Sequence, residues 1–253
     1  MPELPEVETT IRGLQVIVNL KIFKVQIHTQ QLRFKIPNAI KKKLLKSKIS
    51  NIRRIAKYII LDLDNKYSII IHLGMSGRLK TKTNKIYRNK HDHFVVLFNK
   101  NKSLIFNDPR KFGFVDLAKK ENLIKKTYIM NLGLDALDNQ MNHQYLYSKI
   151  FKSSVPIKQI LLNQKIIAGI GNIYASEILY DAKISPFRPG KKLKISKLMI
   201  LIISIKKILK KAIKYGGSSI SDYRSPDGTL GNFQSNFMVY NKEGRKINND
   251  VVK

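Results

Sequence analysis

The chain begins with the run Met1-Pro2-Glu3-Leu4-Pro5-Glu6. If Met1 is removed, which a small second residue normally permits, Pro2 carries a free secondary amine. An α-amino group titrates near about 7.7–8.0 and a lysine amine near about 10.4, so the terminal amine is the better nucleophile at neutral pH. The neighbouring carboxyl group of Glu3 can transfer the protons that such an attack requires. This run therefore predicts a terminal nucleophile beside an acid.

The same residues also suit the start of a helix, and the two interpretations are compatible. Proline is favoured at the first helical position, which Pro5 would take, and Glu6 and Glu8 would interact favourably with the helix dipole. Apolar residues then recur at helical spacing, at Val7, Ile11, Leu14 and Val18. We expect a first helix over residues 5–18 that fixes the amine in place.

The composition points to a polyanionic partner. The chain has 253 residues, of which 43% are hydrophobic, enough for one large or two modest cores. Its 48 lysine and arginine residues outnumber 17 acids and give a net charge of +31, which favours nucleic acid or an anionic membrane surface over an acidic small molecule. Lysine is abundant here together with isoleucine and asparagine, a composition that an AT-rich genome produces by itself. Part of the positive charge therefore carries no information about function.

The absence of cysteine excludes disulfides and thiolate metal clusters and fits a reducing compartment. The longest apolar run, residues 198–205, is too short to span a bilayer. No charged leader precedes an apolar segment at the N-terminus. We therefore expect a cytoplasmic protein that does not insert into a membrane.

The spacing of hydrophobic residues is typical of strands in the first half of the chain and of helices in the second half. This change predicts an α+β fold. An antiparallel β-sandwich or flattened barrel is indicated by six β-rich runs, at residues 22–29, 52–62, 67–73, 93–98, 103–106 and 112–117. Helices are indicated at residues 144–151, 157–163, 173–180 and 196–215, the last capped by Ser196 and ended by Gly216. A short strand is expected at residues 237–240.

We predict a catalytic β-sandwich domain over residues 1–134, a linker over 135–142 and a helical domain over 143–240. The helical domain includes a Gly/Ser-rich loop over 217–231, a length typical of a mobile lid. Residues 241–253 form a residual tail.

Several short runs could contact an anion. Gly169-Ile170-Gly171-Asn172 forms a tight turn before a helix, where Asn172 could cap the helix and leave its amides facing a phosphate, with Lys158 upstream. An ordinary helix–helix connection explains the turn equally well. His91-Asp92-His93 places two imidazoles on one face of a strand, but His28, His72 and His143 are the only other histidines, too few ligands for metal, so a phosphate or carboxylate contact is preferred.

Two loops carry residues that suit a wedge into a base stack. They are His72-Leu73-Gly74-Met75-Ser76-Gly77 and the run 108–113, which contains Arg110 and Phe112. Methionine and phenylalanine are more often core residues, so burial of Met75 and Phe112 is the alternative. A lone lysine such as Lys57 is ordinarily solvated.

Together these runs resemble formamidopyrimidine-DNA glycosylase, the bacterial base-excision family that removes oxidised purines. Six motifs match in order, at residues 2–9, 54–58, 72–77, 90–93, 108–113 and 169–177. The resemblance extends from residue 2 to about residue 245 and implies a helix-two-turn-helix domain after the sandwich. It also implies a partner, double-stranded DNA that contains damaged bases.

The resemblance implies a role for each matching residue. Pro2 would attack C1′ of the damaged nucleotide and form a Schiff base, with Glu3 as the partner acid and Lys57 assisting elimination. The extruded base would be replaced by a wedge of Met75, Arg110 and Phe112. Phosphate contacts are implied for His91, Arg110, Lys152, Lys158 and Asn172, with Glu6 and Glu177 in support and the loop 217–223 over the flipped base.

The sequence departs from the family pattern near its C-terminus. The family usually carries a four-cysteine zinc hairpin there, whose arginine is assigned to δ-elimination. Ile247 and Asp250 stand where the first two cysteines are expected. We therefore predict that the hairpin and its zinc are missing, that no cofactor is bound, and that β-elimination products predominate.

The resemblance predicts a monomeric, cytoplasmic glycosylase and abasic-site lyase, associated with the nucleoid through DNA. Two alternatives remain at this point. One is an endonuclease VIII-like enzyme for oxidised pyrimidines, against which Leu4 and Val7 argue. The other is a non-catalytic DNA-binding remnant, against which the intact Pro2, Glu3 and Lys57 argue.

Overall fold

The computed structural model describes residues 1–83, 89–219, 225–247 and 250–252. Its contacts divide the chain into two compact units, Met1–Met130 with Gly216–Asn232, and Asn131–Tyr215 with Phe233–Lys253. The sequence assigned the loop 217–231 to the helical domain, whereas its contacts group it with the first unit. Ser218 bonds to Glu6, and Thr81 donates its N–H to the Pro226 carbonyl. The remaining domain boundaries stay predictions.

The first unit contains eight strands and three short helices among the residues described. The helices are α1 (Leu4–Leu14), α2 (Ile40–Leu44) and α3 (Thr127–Met130). The strands are β1 (Ile22–Ile27), β2 (Ile49–Ile55), β3 (Tyr58–Leu63), β4 (Tyr67–His72), β5 (Arg78–Thr83), β6 (Asp92–Phe98), β7 (Lys102–Asn107) and β8 (Phe114–Lys119).

These strands form two four-stranded antiparallel sheets that enclose one core. Their orders are β1-β6-β7-β5 and β2-β3-β4-β8. Alternate residues of each strand enter the core, since side chains in a strand alternate between faces; Ile59, Leu61 and Leu63 of β3 are examples. The buried face of α1 joins the same core through Val7, Ile11 and Leu14. The sandwich with an N-terminal helix, predicted from the sequence, is confirmed.

The first unit differs from the prediction in three details. The run 52–62 is not one strand, because the chain reverses between β2 and β3 at Ala56, whose φ of 52° is left-handed. Strand β5 was missed because it lies at a sheet edge and alternates polar side chains with little apolar signal. The first helix begins at Leu4, one residue before Pro5, and its regular part ends at Leu14.

The second unit is mainly helical. Its elements, in chain order, are β9 (Leu134–Asp135), α4 (His143–Ile150), α5 (Ile157–Leu162), β10 (Ile167–Ala168), α6 (Asn172–Asp181), α7 (Ile195–Lys214), β11 (Lys246–Ile247) and β12 (Asp250–Val251). The four predicted helices are confirmed, with bounds that differ by at most one residue. The α+β class is thereby confirmed.

The caps of the last two helices differ from the predictions. Gly171 is the N-cap of α6 and Asn172 is its first helical residue, while Lys194 and not Ser196 precedes α7. Gly216, with a φ of 76°, follows α7 as expected, because glycine tolerates the left-handed conformation that ends a helix.

The C-terminal segment also differs from the predictions. The strand expected at residues 237–240 does not form, because the amides of residues 238–240 donate to the carboxylate of Glu177. A complete loss of the hairpin was predicted, but β11 and β12 pair as a short antiparallel ribbon. Among the described residues, no helix is long and apolar enough to cross a membrane.

Candidate active site

The N-terminus of α1 is fixed by a reciprocal pair of glutamates. Glu3 precedes the helix, and its N–H donates to the Glu6 carboxylate at 2.9 Å, while the Glu3 carboxylate accepts from the Glu6 backbone. Such a capping box satisfies two amides that a helix start leaves without partners. Pro2, Glu3 and Glu6 are all buried. The terminal segment is therefore held in one place before any substrate arrives.

Glu6 also ties this segment to a distant loop. Its Oε1 accepts hydrogen bonds from the Ser218 N–H at 2.7 Å and from the Ser218 hydroxyl at 3.1 Å. The neighbouring Gly217 has a φ of 75°, and a Cβ there would lie 2.9 Å from Glu6 Oε1. A side chain at Gly217 would therefore displace the carboxylate. The predicted covering loop 217–223 begins at this contact, and its residues 220–223 lie outside the described part of the chain.

Lys57 occupies the turn between β2 and β3 and is buried, and it interacts electrostatically with Glu3, the predicted catalytic acid, and with Glu6, predicted to support it. Its pKa is lowered from the ordinary lysine value because burial disfavours the ammonium form, while the charges of Glu3 and Glu6 oppose that shift. The side chain is 6% exposed. A lysine of lowered pKa exchanges protons at neutral pH more readily than an exposed one. The sequence alone indicated a solvated lysine; the structure instead buries it beside Glu3.

His72, for which no role was predicted, lies at the same site. Its pKa is lowered to about 4, chiefly by burial and in addition by the positive charges of Lys57 and Arg33. The imidazole is therefore neutral near pH 7. Its Nδ1 accepts the Gly74 N–H at 3.1 Å, which leaves the proton on Nε2 as a donor. His72 begins the matched motif at residues 72–77, but the sequence assigned no role to it.

A buried carboxylate joins the two predicted wedge loops. Asp108 is fully buried and accepts the Ser76 hydroxyl at 2.6 Å and the Gly113 N–H at 2.8 Å. Ser76 in turn accepts the Arg110 N–H at 3.2 Å. Gly74, with a φ of 62°, lies so close to the second loop that a Cβ would be 2.4 Å from the Gly113 nitrogen. The two loops therefore form one platform.

The predicted wedge residues project from this platform into solvent. Met75 is 43% exposed and Phe112 is 45% exposed, so the alternative of burial in the core is excluded. The Arg110 guanidinium lies 4.8 Å from the centre of the Phe112 ring, a cation–π contact. His91 is partly exposed, and its ring centroid lies 6.5 Å from that of the buried His93. All of these residues belong to the first unit.

Other predicted contacts lie in the second unit. Lys158 is in α5 and Asn172 begins α6; Lys152 follows α4, with its ammonium 5.2 Å from the Phe151 ring. The turn between α5 and α6 is held by Gln164, a residue that the sequence did not single out. Its amide donates to the carbonyls of Leu162 and Ile170 at 2.9 and 2.7 Å and accepts the Gly169 N–H at 2.9 Å.

Glu177 has a supporting position in the same unit. Its buried carboxylate accepts three successive backbone N–H groups, from Met238 at 2.8 Å, Val239 at 3.0 Å and Tyr240 at 2.8 Å. A carboxylate that accepts several amides is strongly bound by them. It therefore fixes residues 238–240 against α6 and explains why this segment is not a strand.

Both units match known domains. A family model described as the formamidopyrimidine-DNA glycosylase N-terminal domain matches residues 1–115, and one described as the formamidopyrimidine-DNA glycosylase H2TH domain matches residues 132–224. The formamidopyrimidine-DNA glycosylase of Zymomonas mobilis is 49% identical over 247 residues, which cover 97% of this chain and 91% of that protein. The protein of that name from Wolbachia pipientis subsp. Culex pipiens is 43% identical over 256 residues, covering 100% and 93%.

The chain is also similar to a solved structure. It is the complex between a mutant Lactococcus lactis FPG and a Fapy-dG containing DNA, with a TM-score of 0.91 and 35% identity, covering 99% of this chain and 92% of that one. These matches define the chain as a DNA glycosylase. It belongs to the formamidopyrimidine-DNA glycosylase family.

The burial of His72 predicts a pH-dependent stability. The unfolded chain binds a proton at His72 below its ordinary pKa of 6.5, whereas the folded chain binds one only near pH 4. Lowering the pH from 6.5 to 4 should therefore cost up to about 3 kcal/mol of unfolding free energy through this residue. Urea unfolding across that range should show a smaller pH dependence for His72→Asn than for the wild type. If the unfolding free energies of both proteins depended equally on pH, the lowered pKa of His72 would be contradicted.

Proposed function

We propose that Pro2 is the nucleophile of this base-excision repair glycosylase, which removes oxidised purines from DNA and cleaves the resulting abasic site. The observation that carries the proposal is the buried group of Glu3, Glu6 and Lys57 around the start of α1. After loss of Met1, the Pro2 amine would lie at this group.

The chemistry follows from these residues. The Pro2 nitrogen bonds to C1′ while the bond from C1′ to the base breaks, and the base leaves with the electron pair and a proton. Glu3 supplies a carboxyl group for proton transfer as the sugar ring opens and the imine forms. Lys57, whose lowered pKa favours proton exchange, then assists elimination of the 3′ phosphate.

DNA binding would use both units. A base must leave the stack before it can be cut, and extrusion costs a few kcal/mol that contacts to the gap and the phosphates offset. The gap that the extruded base leaves in the stack would be filled by three residues that are exposed on the platform, Met75, Arg110 and Phe112. Phosphate contacts are assigned to His91, Arg110, Lys152, Lys158 and Asn172. His72, neutral and with Nε2–H as a donor, is a further candidate contact in the active site.

The other two functions considered are less well supported. The family matches and relatives favour oxidised purines over the endonuclease VIII-like activity on pyrimidines. A non-catalytic remnant would not need Glu3, Glu6 and Lys57 to be buried together, since buried charges are costly unless they are paired and hydrogen-bonded.

Borohydride trapping tests the nucleophile. Reduction should link the protein covalently to a duplex with 8-oxoguanine, and mass spectrometry of the adduct should place the link on Pro2. Pro2→Gly, or a variant that retains Met1, should lose most of the adduct. Undiminished trapping in both variants would show that a lysine is the nucleophile.

Two substitutions separate phosphate contact from gap filling. Lys158→Ala should weaken damaged and undamaged duplexes alike, by about tenfold, and reduce the salt dependence of binding, because phosphate contacts carry no base information. Met75→Ala should weaken chiefly the damaged duplex. Lys41→Ala, in α2, is the control for the loss of one charge.

Binding titrations at several salt concentrations measure both effects. If Lys158→Ala left the affinity for undamaged duplex unchanged, the phosphate assignment would be wrong. Equal losses for Met75→Ala on both duplexes would contradict its role in filling the gap.

We also propose that this chain binds no structural zinc. The residues present do not fit a four-ligand site: the sequence contains no cysteine, and Ile247 and Asp250 pair across the ribbon where two cysteines are expected. Within the described ranges no three potential ligands cluster. Elemental analysis of the purified protein should find substoichiometric zinc. One zinc per chain would refute the proposal.

We propose further that the chain acts as a monomer in the cytoplasm. The support is indirect: one DNA lesion occupies one active site, and the first unit alone supplies Pro2, Glu3 and Lys57. Sedimentation equilibrium tests the monomer, and cell fractionation tests the location.

A further inference from the structure

Arg54 makes two contacts that join separate parts of the active site. Its Nε donates to Glu8 Oε2 of α1 at 2.9 Å, and its Nη1 donates to the Ala56 carbonyl at 3.1 Å. The side chain is 13% exposed, so water screens the ion pair only weakly. One planar guanidinium thus spans the helix and the turn.

The turn that Arg54 contacts carries Lys57. Ala56 precedes Lys57 and adopts a left-handed φ of 52°, a conformation that costs an alanine about 1 kcal/mol or more. Such a turn persists only if its surroundings hold it. The hydrogen bond to the Ala56 carbonyl is such a restraint, and it acts on the peptide group that leads directly into Lys57.

The helix at the other end of the contact is independently fixed. Helix α1 is held by its buried residues Val7, Ile11 and Leu14 and by the bonds of Glu6 to Glu3 and Ser218. Breaking the contact between Arg54 and Glu8 would therefore move the turn rather than the helix. The position of Lys57 depends on Arg54 more than the position of Pro2 does.

We propose that Arg54 is a positioning residue that sets Lys57 against the start of α1 for the elimination step. The proposal rests on the function proposed for Lys57. Arg54 is not assigned any contact with DNA; it acts through the turn. Because displacement of a catalytic group by about 1 Å can cost about a hundredfold in rate, loss of this contact should be visible in the kinetics.

The adjacent Arg53 provides a matched control. It makes a comparable ion pair, with its Nε 2.8 Å from Asp62 Oδ2, but among the described residues it bonds neither to the turn nor to α1. Successive residues of a strand point to opposite faces, so Arg53 and Arg54 differ in direction and not in chemistry. Arg53→Gln should therefore change elimination by less than about twofold.

The experiment measures single-turnover elimination on duplex DNA with a preformed abasic site, together with the rate of borohydride trapping. Arg54→Gln should slow elimination by about ten- to hundredfold. Imine trapping should stay within about twofold of the wild type, because Pro2 is held by α1. Arg54→Lys should not restore the rate, since one ammonium cannot reach Glu8 and Ala56 as a planar fork does.

A double-mutant comparison with Lys57→Ala distinguishes positioning from a general structural role. In the Lys57→Ala background Arg54→Gln should cause no further loss of elimination, because the two changes remove the same contribution. Additive losses, or equal losses of trapping and elimination, would overturn the role of Arg54. Full elimination activity in Lys57→Ala alone would overturn the function proposed for Lys57 and the inference with it. If Arg54→Gln does not fold, Glu8→Gln tests the same contact from α1.

Discussion

The Glu6 carboxylate accepts hydrogen bonds at both oxygens while it is buried in the first turn of α1. One oxygen accepts the Glu3 amide and the other accepts two donors of Ser218. A buried carboxylate without such partners would be strongly destabilising, so these contacts must form together with the fold. The start of α1, the loop that begins at Gly217 and the environment of Lys57 all depend on this one residue.

Similar arrangements occur elsewhere. Asp108 joins the two loops of the platform in the first unit, and Glu177 binds residues 238–240 in the second. In both a buried carboxylate accepts at least one backbone amide of an irregular segment. Loops have no ladder of backbone hydrogen bonds, so a side chain must satisfy their buried amides. These carboxylates therefore let functional residues lie on loops and yet be held firmly, as Met75 and Phe112 are on the platform.

Periodicity predicted the elements whose side chains face a core. The six β-rich runs and four helices were found because burial repeats every two or about 3.6 residues. Features that depend on distant partners were not predictable. The amides of residues 238–240 bond to Glu177, 61 to 63 residues away along the chain, so their apolar pattern indicated a strand that does not form. The turn at Ala56 also lacked a signal, since alanine is not a turn residue and its conformation depends on Arg54.

The site residues were predicted for a different reason. Residue type alone favoured a solvated Lys57. For Met75 and Phe112 the sequence left two alternatives, a wedge on a loop or burial in the core, and the motif resemblance favoured the wedge. The structure buries Lys57 and exposes Met75 and Phe112. It adds His72, Gln164 and Arg54. His72 and Arg54 lie within two of the matched motifs, but a role for each follows only from contacts across the fold.

Charge acts at two ranges in this protein. The surplus of 48 basic over 17 acidic residues attracts DNA over a distance of about 10 Å, beyond which salt screens it. At the active site, by contrast, Glu3 and Glu6 lie beside one lysine. Burial lowers the pKa of Lys57 more than these two carboxylates raise it. A DNA phosphate entering the site would add negative charge and raise that pKa, so Lys57 would hold its proton more tightly with DNA bound than without it. Burial therefore favours the neutral amine of Lys57 in the free protein, whereas a bound phosphate would favour its ammonium form.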